Sequence, residues 1–227
     1  SLAAYLHLAP AQISRLAERD QIPARKVSGE WIFSSADVHH WLEDRLGLQE
    51  EEKLQHVEQV LSHSAPSGEE EICIAEMLSP QAIAAPLPAR TRRSVIDSMA
   101  ELAAQTGLLW DASAMAEAVL AREDMQPTAL ENGAALLHPR RPMSNILAEP
   151  VLALGITHQG IPFGGARGML TDVFFLICST DDRMHLRTLA RLSRMIAEDE
   201  FLNQLREASD AQEIHERIRN RETEIEE

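Results

Sequence analysis

Apolar and polar positions along this chain follow two periods, and the boundary between them divides it. Between residues 72 and 227, continuous apolar runs bounded by turn residues alternate with helical spacings, which is the signature of an α/β domain with a buried sheet. "NGAALLH" opens on the turn pair Asn132-Gly133 and continues as a short apolar strand. "TDVFFLIC" reads as a buried strand, and the capping cluster Ser179, Thr180 and Asp181 after it starts a long helix. On that helix His185, Leu189, Leu192 and Ile196 fall on one face, so His185 sits near the helix start and partly inside. Residues 1–48 carry shorter patterns. A short helix spans Leu2 to Leu6, and a second begins at Pro10, where a missing amide hydrogen costs nothing. "ARKVSGEWIF" gives two strands joined at Ser28-Gly29, and "SSADVHHWLEDRL" gives a helix capped by Ser34 or Ser35. The chain opens almost inside the first helix, so further residues upstream are expected.

The polar strip 49–71 separates these regions. It begins helical, with Leu48, Leu54, Val57, Val60 and Leu61 on one edge, and ends in the flexible joint "SHSAPSG". We read it as an acidic linker rather than a dimerising coil, because so few turns rarely sustain a heptad seam. The charged tail from Arg219 is expected to fray.

Composition narrows the function. A formal charge of −15 argues against a whole-chain affinity for phosphate backbones or anionic lipid, so any nucleic-acid contact must be local. Apolar content of 44% with only 4% aromatic residues fits packed helices and a sheet of Leu, Ile, Val and Ala. Cys73 and Cys178 read as reduced buried thiols, and the apolar runs are too short for a membrane helix. A soluble cytoplasmic protein is the expectation, without cofactor and without membrane contact.

Residues 1–46 resemble the excisionase-type and mercury-regulator-type helix-turn-helix domains, most specifically in the wing "ARKVSGEWIF" and a closing helix ending near "WL". Ile13, Leu16 and Ala17 face inward on the second helix, leaving Gln12, Ser14, Arg15 and Arg19 outward. Such a module lays its second helix in the major groove and its wing on the backbone, so with Arg25 and Lys26 these form the candidate DNA-contacting set. Five Lys/Arg against six Asp/Glu over 1–48 predict weak binding unless the protein dimerises. A protein-binding role for this segment is the alternative. His39 and His40 are adjacent on a helix, cannot share a metal face, and read as surface residues.

His138 carries the chemistry. It lies at the carboxyl end of its strand, the edge where open α/β sheets bind ligands. Pro139 stops the strand, and Arg140 and Arg141 bring positive charge beside it. The helix start at His185 offers amide hydrogens and a positive dipole end that attract phosphate. A neutral imidazole with one nitrogen fixed by a hydrogen bond has the other free to attack phosphorus. Arg122, in "LAREDMQPTAL", and His185 are the candidate donors to the transferred group's oxygens. A metal between the two histidines has no cysteine or carboxylate pattern behind it. The stripe Arg183, Arg187, Arg191 and Arg194 reads as a solvated face paired with acids such as Glu198.

"RED…PTALENGAALLHPR", "EPVLALGITHQGIPFGG" and "DVFFLICSTDDRMHLRTLARLSRMIAEDEFLNQLREA" together resemble a IIA domain of the fructose/mannitol/nitrogen-regulatory type, from the phosphoenolpyruvate-dependent phosphotransferase system. The resemblance runs from about Leu78 to Ile218. It implies a mixed five-stranded sheet flanked by helices, His138 as phosphoryl acceptor, Arg122 and His185 as its active-site companions, and the phosphohistidine of HPr or a paralogue as donor. The family commonly has Pro before the histidine, and this chain has Leu137. The reading is therefore three parts: 1–48 winged helix-turn-helix, 49–71 linker and 72–227 IIA-like domain. Its expected role is regulation of DNA binding by the phosphoryl state of His138. Homo-oligomerisation is compatible with it, and the alternative is a binding module whose IIA-like domain no longer transfers phosphate.

Overall fold

The computed structural model describes residue 2, residues 10–34, 37–38, 41, 72–165 and 168–226. The expected Leu2–Leu6 helix, the linker 49–71 and the pair His39 and His40 lie outside these residues, apart from a helical Leu2.

In the N-terminal unit, α1 (Pro10–Glu18) has Pro at its first position and buries Ile13 and Ala17. β1 (Arg25–Val27) and β2 (Glu30–Ile32) pair antiparallel with Val27 opposite Glu30. Ser28 and Gly29 take φ of 53° and 88°, as a type I′ turn requires of both central residues. Ser34 accepts from the Asp37 amide at 3.4 Å, so it is the cap of the following helical turn.

The larger unit is built on a four-stranded sheet of order β3-β5-β6-β4, with β3 (Ile83–Ala84), β4 (Ala134–Leu137), β5 (Val151–Pro162) and β6 (Leu170–Cys178). β3 runs parallel to β5 and β4 parallel to β6, while β5 and β6 form an antiparallel pair with a register shift between Ile156 and Ile161. The sheet is mixed, as the resemblance implied. Among the described residues it has four strands rather than five, and Leu109 and Leu147 meet only in an isolated bridge.

β4 is buried at every position and β6 over its last six, which explains their unbroken apolar runs: helices cover both faces. α2 (Ile74–Met77) opens the unit, and α3 (Arg92–Ala104) and α4 (Ala112–Met125) pack on each other, α3 also lying against β5. Thr91 and Ser94 form a reciprocal capping box at α3, and Asp111 caps α4. Gly155 of β5 allows the close approach of α3, since a Cβ there would stand 2.6 Å from the Met99 sulfur and 2.8 Å from Leu87. The chain ends in α5 (Asp182–Met195), α6 (Asp199–Glu207) and α7 (Ala211–Glu226).

Two expectations are overturned here. The tail does not fray: α7 continues through Arg219 to Glu226, with Ile218, Glu222 and Ile225 buried, because its apolar spacing docks it on the domain. The arginine stripe of α5 is not a solvated face either. Arg191 is buried and paired with Glu222 at 3.4 Å and Glu226, and Arg194 donates to the Ile225 carbonyl at 2.6 Å, so α7 covers this side of α5. Glu198 pairs instead with Arg221, at 3.0 Å.

Candidate functional site

Parallel pairing of β4 with β6 creates the site. Leu137, the last residue of β4, is registered with Leu176, and β6 runs two residues further to Cys178. Both chains therefore leave the sheet at one edge, β4 into His138 and β6 through Ser179 into α5. His138 is 2% exposed and His185 is 5% exposed, and their ring centroids lie 4.9 Å apart at an interplanar angle of 53°.

His138 is held in one tautomer. Its Nδ1 lies 2.8 Å from the Leu136 carbonyl oxygen. A carbonyl can only accept, so Nδ1 carries the hydrogen and the ring's basic lone pair is on Nε2. His185 Nδ1 lies 3.4 Å from the Ser179 hydroxyl. The Nε2 atoms of both rings are buried.

Asp181 caps α5, its carboxylate accepting from the Arg183 and Met184 amides, and Asp182 adds a second acid in the first turn. The amide hydrogens expected to attract phosphate are thus already engaged at these two positions. The imidazole of His185, rather than the helix end, is what this element brings to the site.

Arg122 lies in the last turn of α4, 3% exposed, and its Nη1 donates to the Gln126 carbonyl at 2.8 Å. The segment after it turns back to the sheet, where Ala129 bridges Ala135 of β4, three residues before His138. Glu123 fastens this segment by accepting from the Thr128 amide at 3.2 Å and from the Thr128 hydroxyl. Burial pushes the Glu123 carboxyl above its ordinary value, while the Thr128 hydrogen bonds and the charges of Arg92 and Arg122 pull it back. Pro127 closes the loop from outside: a Cβ on Gly164, whose φ is 88°, would stand 2.5 Å from its ring.

The Glu123–Thr128 clamp and the Ser179 contact are the parts that sequence patterns did not yield. Ser179 stands in the capping cluster, yet it is Asp181 that caps, leaving the Ser179 hydroxyl for His185. Among the described residues no cluster of three or more His, Cys, Asp or Glu side chains has the geometry to hold a metal. No described helix is long and apolar enough to cross a membrane. Cys178 is a free thiol that burial pushes up to about 12, and Cys73 is free as well.

In the N-terminal unit Gln12, Arg15, Arg19, Arg25 and Lys26 are exposed, while Ser14 is half-buried and donates to the Pro10 carbonyl at 3.2 Å. Lys26 also lies over the Trp31 ring, 5.4 Å from its centroid.

Two family models match the chain over separate stretches. Residues 2–46 match the helix-turn-helix domain model, and residues 76–221 match the phosphoenolpyruvate-dependent sugar phosphotransferase system EIIA 2 model. A fructose-specific EIIABC component from Bacillus subtilis is 29% identical over 137 residues, covering 60% of this chain but only 21% of that protein. A nitrogen regulatory protein from Bradyrhizobium diazoefficiens is 28% identical over 146 residues, 63% of this chain and 92% of that one. Among solved structures, the nitrogen regulatory protein IIA-Ntr of Neisseria meningitidis superposes with a TM-score of 0.57 at 19% identity, over 64% of this chain and 98% of that one. The Escherichia coli IIA mannitol structure superposes with a TM-score of 0.55 at 17% identity, over 62% of this chain and 97% of that one. With its helix-turn-helix domain at the amino end and most of its length matched by the second model, the chain belongs to the EIIA 2 family of the phosphoenolpyruvate-dependent sugar phosphotransferase system.

Proposed function

We propose that this protein is a phosphotransferase-system regulator that accepts a phosphoryl group on Nε2 of His138 and couples that state to DNA binding by its helix-turn-helix domain. The observation that carries the reading is the His138 Nδ1–Leu136 carbonyl hydrogen bond of 2.8 Å, which leaves the lone pair on Nε2 beside a second buried imidazole.

The donor is the phosphohistidine of a small carrier protein of the HPr type. The Nε2 lone pair attacks phosphorus in line, a new N–P bond forms, and the donor's N–P bond breaks with its electron pair returning to the donor imidazole. No proton has to leave His138, because Nδ1 keeps its own. With the Ser179 hydroxyl donating to His185 Nδ1, the His185 Nε2–H donates to a phosphoryl oxygen. Arg122 supplies fixed positive charge to the same group, and the Glu123–Thr128 clamp holds the segment that anchors its guanidinium. Leu137 stands where the family commonly has proline, but it is fully buried and paired with Leu176, so the strand is held by the sheet without a ring.

Intact mass spectrometry after incubation with phosphoenolpyruvate, enzyme I and a carrier protein tests the reading, beside His138→Ala. One acid-labile phosphoryl group on the wild type alone is the expected result. No phosphoryl group with either sugar-type or nitrogen-type carrier overturns it and leaves a binding module.

A further inference from the structure

An open groove of about 510 Å³ joins the two units, lined on one side by Asp20, Arg25, Ile32 and Asp37 and on the other by Arg140 and Arg141. Arg140 and Arg141 belong to the loop that leaves His138, separated from it by Pro139 alone. Both are exposed, as is Arg25 at the start of the wing, and among the described residues none of the three has an ion pair. Among the described residues of the larger unit, no carboxylate pairs with Arg140 or Arg141.

From this juxtaposition we infer that Arg140 and Arg141 extend the cationic edge of the wing and contact the phosphate backbone of duplex DNA beside Arg25 and Lys26. The inference rests on the DNA-binding part of the proposed function and names the residues through which the phosphotransferase domain takes part. The balance of charge favours it. Three guanidinium groups face two carboxylates, Asp20 and Asp37, so the groove carries net positive charge in a chain whose total is −15. Contact with a carrier protein at His138 would call only on residues of the phosphotransferase domain, whereas Arg25 comes from the wing. The site also explains how an otherwise non-basic helix-turn-helix unit reaches a useful phosphate-contact count. Phosphorylation of His138 adds a charge of about −1.5 to −2 two residues from Arg140, which competes for these guanidiniums and lowers DNA affinity.

The test is the salt dependence of binding of the full chain to a short random-sequence DNA duplex, measured by fluorescence anisotropy for wild type, Arg140→Gln/Arg141→Gln and Asp20→Asn/Asp37→Asn. Each phosphate contact contributes about 0.9 to the slope of log K against log salt, so the arginine variant is expected to lose about 1–2 from that slope. The aspartate variant is expected to bind tighter, a change that damaged folding cannot imitate. Asn at position 20 keeps the φ of 56° that Asp20 adopts. An unchanged slope in the arginine variant overturns the inference while leaving DNA binding in place. Slower phosphoryl transfer from the carrier with an unchanged slope assigns the arginines to carrier docking instead. No binding by wild type at low salt overturns this inference and the DNA-binding reading together, and mass spectrometry of His138 still reports separately on phosphoryl transfer.

Discussion

Replacing Glu222 with alanine should destabilise the phosphotransferase domain by as much as truncating a core side chain. Glu222 lies in the final helix, yet it caps the first. The α2 helix has no side-chain cap of its own, and the Ile74 and Ala75 amides donate instead to the Glu222 carboxylate at 2.6 and 3.0 Å. The Cys73 thiol donates to the same group at 3.4 Å, and Arg191 pairs with it at 3.4 Å. Glu222 is 4% exposed, so water does not replace what alanine removes. Each buried amide left without an acceptor costs about 1–3 kcal/mol, and loss of one partner from a buried charge pair costs about 3–5 kcal/mol, part of which Glu226 recovers at Arg191. The net expectation is about 3–5 kcal/mol, which lowers the Tm of a domain of this size by roughly 6–20 °C. Glu222→Gln keeps one acceptor oxygen but not the charge and should fall between, at about 1–3 kcal/mol. Urea denaturation followed by circular dichroism reads both. Hydrogen exchange at the Ile74 and Ala75 amides shows whether the loss is where it should be. A Glu222→Ala protein within about 1 kcal/mol of wild type, or one that leaves those amides as protected as before, refutes the reasoning.

Other expectations are narrower. Gly155→Ala places a Cβ against Met99 and Leu87 in the tightest part of the core and should cost about 1–3 kcal/mol by overpacking, read as a shift in the urea midpoint. The Glu123 carboxyl is raised by burial, so its contribution to stability is fully present below the ordinary carboxylate value and is lost as pH rises through the raised one. Wild type should therefore lose stability relative to Glu123→Gln as pH rises through that window, and a stability difference that does not vary with pH contradicts this. Gly164→Ala forces a Cβ into the Pro127 ring at a positive φ, and it should slow phosphoryl acceptance through the Arg122 segment more than it lowers the urea midpoint.

What could be read from the sequence was governed by what local pattern encodes. The buried runs "AALL" and "VFFLIC" read as strands covered on both faces, and the cluster Ser179, Thr180 and Asp181 announced the helix that carries His185, though not which of the three caps it. Strand order was not local information. That β4 and β6 are parallel neighbours, and so deliver His138 and His185 to one edge 4.9 Å apart, comes from packing between segments distant in sequence. The same holds for the charges. Arg191 and Arg194 looked like solvated residues because their helical spacing is polar, and the tail that holds Glu222 looked frayed because it is charged; only the docking of α7 on α5 makes them partners. The Glu123–Thr128 clamp escaped for a related reason: five residues apart across a helix end, the two meet only when the chain turns back to β4. The wing was the most legible part, because a Ser-Gly pair flanked by alternating residues specifies its turn directly.

The most direct measurement of the central claim is nitrogen NMR of the His138 ring, in protein phosphorylated through its carrier. The tautomer fixed by the Leu136 carbonyl predicts a phosphorus coupled to Nε2, with the Nδ1 hydrogen retained and still hydrogen-bonded. Phosphorus on Nδ1, or on no nitrogen of His138, contradicts the account.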